Sequence, residues 1–247
     1  MRSRNGLKSE EIPGDYQYQA LYHGPISQKL WHYKKYDVLN NVLKSGCHYK
    51  MICDAGCGSG TITNLVAKSC PESQVFGFDI NQSSITFAQR QFAFQSNATF
   101  KCQDLLQANK FAEMDFDLIY SLEVIEHFHD EDVIKFLSSL YRMGHKTSQY
   151  FLTTPDYRSL WPLIELLIDR LALAPPLNLQ HLTRFTKKKL ISLLTSRGFR
   201  IVEIFNFCGF SPFFGHISPR LAHLVDTWEQ RIGYGNIIGC HFEKSSI

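Results

Sequence analysis

The chain reads as an α/β protein: a mostly parallel sheet with helices on both faces. Two observations carry this. Short apolar runs of the buried-strand kind alternate with stretches of helical periodicity from about residue 50 onward. The first such run, Met51-Ile52-Cys53-Asp54, enters a glycine loop, Gly56-Cys57-Gly58-Ser59-Gly60, which opens into a helix-like pattern. Glycines permit a tight turn and a close approach of ligand to backbone. The helix that follows offers unpaired N–H groups and a partial positive charge. Such a loop holds the polar end of a nucleotide-like ligand.

The elements follow in order. Residues 1–15 form a polar leader with no apolar h-region. Residues 16–33 are aromatic, with Tyr16, Tyr18, Tyr22, Trp31 and Tyr33; they either cover the ligand as a lid or simply pack on the domain. This sets a boundary between an N-terminal segment, 1–33, and a main domain, 34–247. A helix is expected over Ser27–Leu43. Strands are expected at Lys50–Asp54, Gln74–Asp79, Thr99–Cys102, Asp117–Tyr120 and Gln149–Thr153, the last stopped by Pro155. Between them lie helices at Thr61–Ser69, after Asn81 and Ser84 in capping positions, and after Asp130, where Val133, Phe136, Leu137 and Leu140 repeat at helical spacing. Residues 157–185 interrupt the alternation. Their helix, Trp161–Leu173, is apolar over more than half its circumference, which suits a lid over an acceptor pocket or a rest on a membrane surface. Then come a helix over Thr186–Arg197 closed by Gly198, a strand Arg200–Asn206, a helix Pro219–Arg231 and a last strand Asn236–Glu243.

Composition bounds the possibilities. The chain has 247 residues, 44% hydrophobic and 20% charged, which is globular rather than disordered. A net charge of +3 with interspersed signs gives no basic track, so a nucleic-acid partner is disfavoured. Seven cysteines without a C-x-x-C pair suit free thiols in a reducing, cytoplasmic setting. The most apolar stretch carries Glu165, Asp169 and Arg170, too polar for a spanning helix.

The loop spacing selects its ligand. A dinucleotide fingerprint needs G-x-G-x-x-G, and here Thr61 takes the third glycine's place. Asp54 would repel a pyrophosphate and suit a cation. Asp79 ends the second strand, where a carboxylate can accept hydrogen bonds from two ribose hydroxyls.

Asp54-Ala55-Gly56-Cys57-Gly58-Ser59-Gly60 resembles the first motif of the class I methyltransferases that use S-adenosylmethionine. The resemblance implies a Rossmann-like, seven-stranded, mostly parallel sheet with an antiparallel C-terminal strand. It implies S-adenosylmethionine as cofactor, with Asp54, Gly56, Gly58, Gly60 and Ser121 at its methionine end. Asp79 would then meet the ribose, Asp104 and Leu105 the adenine, and Ile80 would also bind the cofactor.

Glu123-Val124-Ile125-Glu126-His127 follows the fourth strand. In a helical turn Glu123 would face Glu126 and His127. Three roles are open. His127, assisted by Glu126, acts as general base, its ordinary pKa suiting neutral pH. Or Glu123, Glu126 and His127, with His181 as a fourth ligand, bind a divalent metal such as magnesium. Or the residues only shape the pocket. E-x-x-E-H resembles a motif of small-RNA 2′-O-methyltransferases and of ubiquinone-biosynthesis O-methyltransferases. The expected activity is O-methylation of a small-molecule or lipid-linked hydroxyl acceptor, with peripheral membrane contact if the acceptor is a lipid. The rivals are RNA ribose 2′-O-methylation and an inactive S-adenosylmethionine-binding regulator.

Overall fold

The structure is a computed structural model that describes residues 12–44, 49–107, 114–171 and 176–245. Two helices, α1 (Tyr16–Tyr22) and α2 (Ile26–Lys44), precede the sheet. The chain then alternates: β1 (Met51–Ala55), α3 (Thr61–Ser69), β2 (Gln74–Asp79), α4 (Gln82–Gln91), β3 (Ala98–Cys102), β4 (Phe116–Leu122), a 3₁₀ turn (Ile125–His127), α5 (Asp130–Met143) and β5 (Gly144–Pro155). The remaining elements are α6 (Trp161–Arg170), α7 (Leu177–Gln180), α8 (Lys187–Thr195), β6 (Phe199–Phe207), α9 (Ser211–Phe214), α10 (Pro219–Ile232) and β7 (Ile237–Lys244).

The seven strands form one sheet in the order β3-β2-β1-β4-β5-β7-β6. All neighbouring pairs are parallel except those of β7, which runs antiparallel to both β5 and β6. The architecture is the Rossmann-like one expected. Strand order reverses between β1 and β4, and the crevice outside their carboxyl ends is where such a sheet takes ligands.

Alternation along the strands divides the core. Ile119 of β4 and Leu152 of β5 point to the face covered by α5 and α8, where Phe136, Leu137, Leu140, Leu190 and Leu194 are buried. Leu118, Tyr120 and Phe151 point to the other face, covered by α2, α3 and α6 through Leu39, Val42, Val66, Trp161 and Ile164. The two-residue period of the pleat is the reason both faces need helices.

Local signals placed most boundaries. The Asn81 side chain caps α4 by accepting from the Ser83 and Ser84 N–H groups, and Thr186 caps α8 by accepting from Lys189 N–H. Gly198 sits at φ +82° after α8, the left-handed conformation that ends helices. β5 is longer than expected at both ends: β7 pairs with it as far as Pro155, and Phe116 of β4 pairs with Gly144 at its start. The expected helix to Leu173 ends at Arg170; residues 172–175 of the 157–185 insertion, and residues 1–11 of the leader, lie outside the described residues.

Candidate functional site

A cavity of about 620 Å³ opens at the carboxyl ends of β1, β2, β3 and β4. At one end its wall is made by Gly56, Gly58, Asp79, Ile80, Asp104 and Leu105. These come from three successive strand ends, as the sequence order required. Gly56 has φ +92°, and a Cβ there would lie 2.4 Å from Val124 Cγ2. Gly58 has φ +51°, and its N–H donates to Asp79 Oδ2 at 2.8 Å. Asp79 Oδ1 accepts from Asn81 N–H at 2.8 Å. Each oxygen keeps a lone pair, so the carboxylate is positioned without being saturated. Burial raises its pKa against these N–H donors. Asp104 is held by Leu106 N–H at 2.9 Å and by Gln107 Nε2 at 2.9 Å.

Three expected cofactor residues stand behind this wall. Asp54 is buried and does not line the cavity; its Oδ2 accepts from Thr63 Oγ1 at 2.7 Å. Burial raises its pKa to about 7, against the Thr63 and Tyr120 hydroxyls, and nearby Asp79 adds to the rise. It therefore acts from beneath the loop rather than at the ligand surface. Ser121 is also buried, its hydroxyl donating to the Ala55 carbonyl at 2.8 Å. Gly60 lies under Phe100 and Ala88, where a Cβ would sit 2.5 Å from the Phe100 ring.

The turn after β4 departs from the expected helical one. Glu123 adopts φ +57°, and only Ile125–His127 form a 3₁₀ turn. The Glu123 side chain reaches α2, while its charge still acts on Glu126 and His127. Its Oε2 pairs with Lys35 Nζ of α2 at 2.7 Å, both side chains largely buried. The other three candidates do converge: one donor atom each of Glu126, His127 and His181 lie within 4.8 Å of one another. Glu126 is fully buried; its Oε2 accepts from Thr154 Oγ1 at 3.1 Å, and its Oε1 has no partner among the described residues. Burial, reinforced by the Glu123 charge, pushes its pKa well up. The peptide N–H groups of Leu182 and Thr183 both donate to the Glu126 carbonyl, which seats the His181 segment against the turn.

The two imidazoles are held alike. His127 Nδ1 faces the Gln180 carbonyl at 3.1 Å; a carbonyl only accepts, so Nδ1 carries the hydrogen and Nε2 the lone pair. Burial, helped by His181, lowers the His127 pKa to about 4. The near-neutral value expected of an unperturbed histidine does not survive burial, and His127 is a neutral imidazole at pH 7. His181 Nδ1 lies 3.0 Å from Tyr157 Oη and 3.5 Å from Glu165 Oε2, and Tyr157 Oη donates to that same oxygen at 2.6 Å. Burial works against a charged His181, but Glu165, Glu126 and Glu123 outweigh it and raise its pKa.

The rest of the cavity wall is mostly apolar and belongs to the helices: Trp31 of α2, Trp161, Ile164 and Ile168 of α6, Leu177 of α7, and Pro212 and Phe213 of α9. Trp31 and Trp161 meet at 5.3 Å. Gln17 of α1 lies over Gly58, and His32 and Lys35 of α2 also line the cavity. Sequence reasoning offered the 16–33 stretch as a lid but singled out none of Gln17, His32, Lys35 and Glu165 as site residues. One signal was present: Trp31, Lys35, Val38 and Val42 recur at helical spacing, which sets Lys35 in an apolar stripe where a lysine needs a partner.

Residues 52–146 match the family model described as a methyltransferase domain. Among curated proteins, the chain is 32% identical over 79 residues to malonyl-[acyl-carrier protein] O-methyltransferase of Acetivibrio thermocellus. That stretch is 32% of this chain and 27% of the relative. It is 30% identical over 94 residues to magnesium-protoporphyrin O-methyltransferase of Synechocystis sp., covering 36% of this chain and 38% of that one. The chain thus spans well under half the length of either relative. Among solved structures, the magnesium protoporphyrin IX methyltransferase of Synechocystis with bound S-adenosylhomocysteine superposes with a TM-score of 0.63 at 19% identity, covering 94% of each chain.

Proposed function

We propose that this chain, which carries a class I methyltransferase domain at residues 52–146, transfers a methyl group from S-adenosylmethionine to a hydroxyl on an acceptor with an apolar body. One observation carries the reading. A single cavity joins Asp79 and Asp104 at one end to an apolar compartment at the other, with Glu126, His127 and His181 close by.

The residues present fit the cofactor. Asp79 has free lone pairs for the ribose hydroxyls, and Asp104 with Leu105 and Ile80 would hold the base. Gly56 and Gly58 let the methionine end approach the backbone. S-adenosylmethionine supplies a methyl already activated on a sulfonium, so alignment is the protein's main contribution. The Trp31, Trp161 and Phe213 side of the cavity would hold the acceptor's apolar body and exclude water. The neutral His127 Nε2 can accept a hydrogen bond from the acceptor hydroxyl and orient it, while the Glu126 carboxylate, whose pKa burial pushes up to about 7, is the group matched to take up its proton.

The same cluster also fits a divalent metal, and a specific observation favours that reading. Glu126 has a buried oxygen without a partner, while both imidazoles have Nδ1 engaged, the arrangement that frees Nε2 for a ligand. Glu126, His127 and His181 would hold the ion; Glu123, whose Oε2 pairs with Lys35, is not among the three converging donors, although its Oε1 is also buried without a partner among the described residues. Two imidazoles and one carboxylate suit a first-row transition ion better than magnesium. Such an ion would acidify the acceptor hydroxyl.

Calorimetry with S-adenosylmethionine tests the core of this proposal. Binding to the wild type that is lost in Asp79→Ala supports it; no binding, or equal binding by the variant, refutes it. Release of S-adenosylhomocysteine over a panel of phenolic, lipid and RNA acceptors then identifies the hydroxyl.

A further inference from the structure

Helix α6 is apolar on both sides. A surface helix ordinarily puts charge outward and apolar residues inward. Here Glu165 faces inward, where Tyr157 Oη donates to it. Asp169 is consumed in accepting from the Leu177 and Asn178 N–H groups. Outward stand Leu163, Leu166, Leu167 and Leu171, spaced i, i+3, i+4 and i+8, with exposures of 52, 45, 49 and 64%. Four leucines on one stripe make a contiguous apolar patch, not scattered surface residues.

Two further observations say what covers it. The patch is continuous with the cavity: Ile164 and Ile168, on the same helix, line the apolar compartment, and Phe213 both lines it and is 44% exposed. Its end is cationic: Arg170, on the same helix next to Leu171, is exposed and forms no salt bridge among the described residues, and the segments before and after the helix add exposed Arg158 and Arg184, the latter over the Tyr157 ring at 5.4 Å. A leucine stripe ending in an arginine without an acidic partner complements an anionic lipid surface, into which a helix lying flat sinks its apolar stripe. No helix among the described residues is long and apolar enough to cross a membrane, so contact would be at the interface.

We propose that α6 docks this protein on an anionic bilayer, with the apolar compartment opening toward the acyl region. An acceptor anchored in the membrane by an apolar tail would reach the cavity without crossing water. That consequence rests on the compartment being the acceptor pocket; the docking itself does not.

The test is co-sedimentation of the full chain with vesicles of phosphatidylcholine alone, or mixed with phosphatidylglycerol, at low and high salt. Partition onto the mixed vesicles is expected, and it weakens with salt. Leu163→Glu/Leu167→Glu should lower the partition coefficient by about tenfold or more, and Arg170→Glu should lower it less. In Leu167→Trp the added indole should show blue-shifted emission on the mixed vesicles. Both leucines lie outside the cavity wall, so the double variant should bind S-adenosylmethionine like the wild type, which also reports an intact fold. Failure of wild-type partition, or partition indifferent to the double substitution, overturns the docking and leaves cofactor binding standing. A concentration-dependent dimer dissolved by the double substitution would assign the patch to a second copy and overturn it equally.

Discussion

Replacing Asp54 by asparagine tests whether its carboxylate is a buried charge beneath the loop. In the folded chain its pKa is raised to about 7 from an ordinary value of 3.8. A group raised on folding favours the folded state below its unfolded pKa, and that advantage is lost as pH rises through the folded value. For Asp54 the loss therefore runs from about pH 4 to about pH 7. At 1.36 kcal/mol per unit, the raised pKa costs the fold about 4 kcal/mol at pH 8, where the carboxylate stays ionised, and about 1–2 kcal/mol at pH 5, where folding takes up a proton. The amide in Asp54→Asn does not titrate. Any constant effect of that amide on Thr63 cancels when one variant is compared with wild type at two pH values. The stability difference between Asp54→Asn and wild type should therefore shift in the variant's favour by about 2–3 kcal/mol between pH 5 and pH 8. Urea denaturation at both values, with midpoints and slopes fitted separately, measures this. A difference that does not change with pH would refute the burial argument. It would mean that Asp54 is solvated or fully compensated in the fold.

The other predictions concern the same site. Gly56→Ala brings a Cβ to 2.4 Å from Val124 at φ +92°, so it should lower stability by about 1–3 kcal/mol and weaken cofactor binding; Val124→Ala in that background should restore part of the loss in calorimetry. Lys35→Met leaves Glu123 without its cation and should cost about 3 kcal/mol of stability in denaturant titration, partly recovered by adding Glu123→Gln. Asp79→Ala removes the carboxylate proposed to hold two ribose hydroxyls and should weaken S-adenosylmethionine by about 3 kcal/mol, over a hundredfold. If the histidine pair holds a metal, elemental analysis should find about one transition ion per chain, lost in His127→Ala together with activity that chelation also removes. Full activity in metal-free protein would rule the ion out.

What the sequence made legible was whatever depends on local pattern. The seven strands, the cap at Asn81 and the glycine turn follow from spacing and backbone preference within a few residues. The wall formed by Asp79 and Asp104 was legible for the same reason: both acids sit at strand ends, and a parallel sheet brings strand ends together. Asp54 shares that position but not that fate. It is two residues before Gly56, yet Thr63 from α3 turns its carboxylate inward, and no pattern within one strand reports a partner from the next helix. Glu123 is the sharper case. Periodicity assigned it to Glu126 and His127 at i+3 and i+4, which presupposes helical φ. Lys35, 88 residues away, pairs with Glu123 where it stands at φ +57°. Left-handed backbone at a non-glycine residue persists only where surroundings hold it, and such strain collects at functional sites.

The same long-range pairing explains why the acceptor side was the least legible. Its polar cluster is assembled from four separate stretches: the β4 turn, the end of β5 through Thr154, Tyr157 with Glu165 of α6, and His181. Each residue alone has an ordinary reading. Only their convergence makes Glu165 a partner for His181 rather than a surface acid on an apolar helix. With Glu165 and Asp169 occupied, no acid on α6 is left for its outer side, where the leucine stripe stands. Thus the inward orientation of one carboxylate links the chemistry of the cavity to the character of the surface beside it. Disrupting that link with Glu165→Leu should loosen His181 and α6 together, which would appear as higher hydrogen exchange in both segments. Unchanged exchange in α6 would show that its leucine face is set by packing alone, independent of the histidine site.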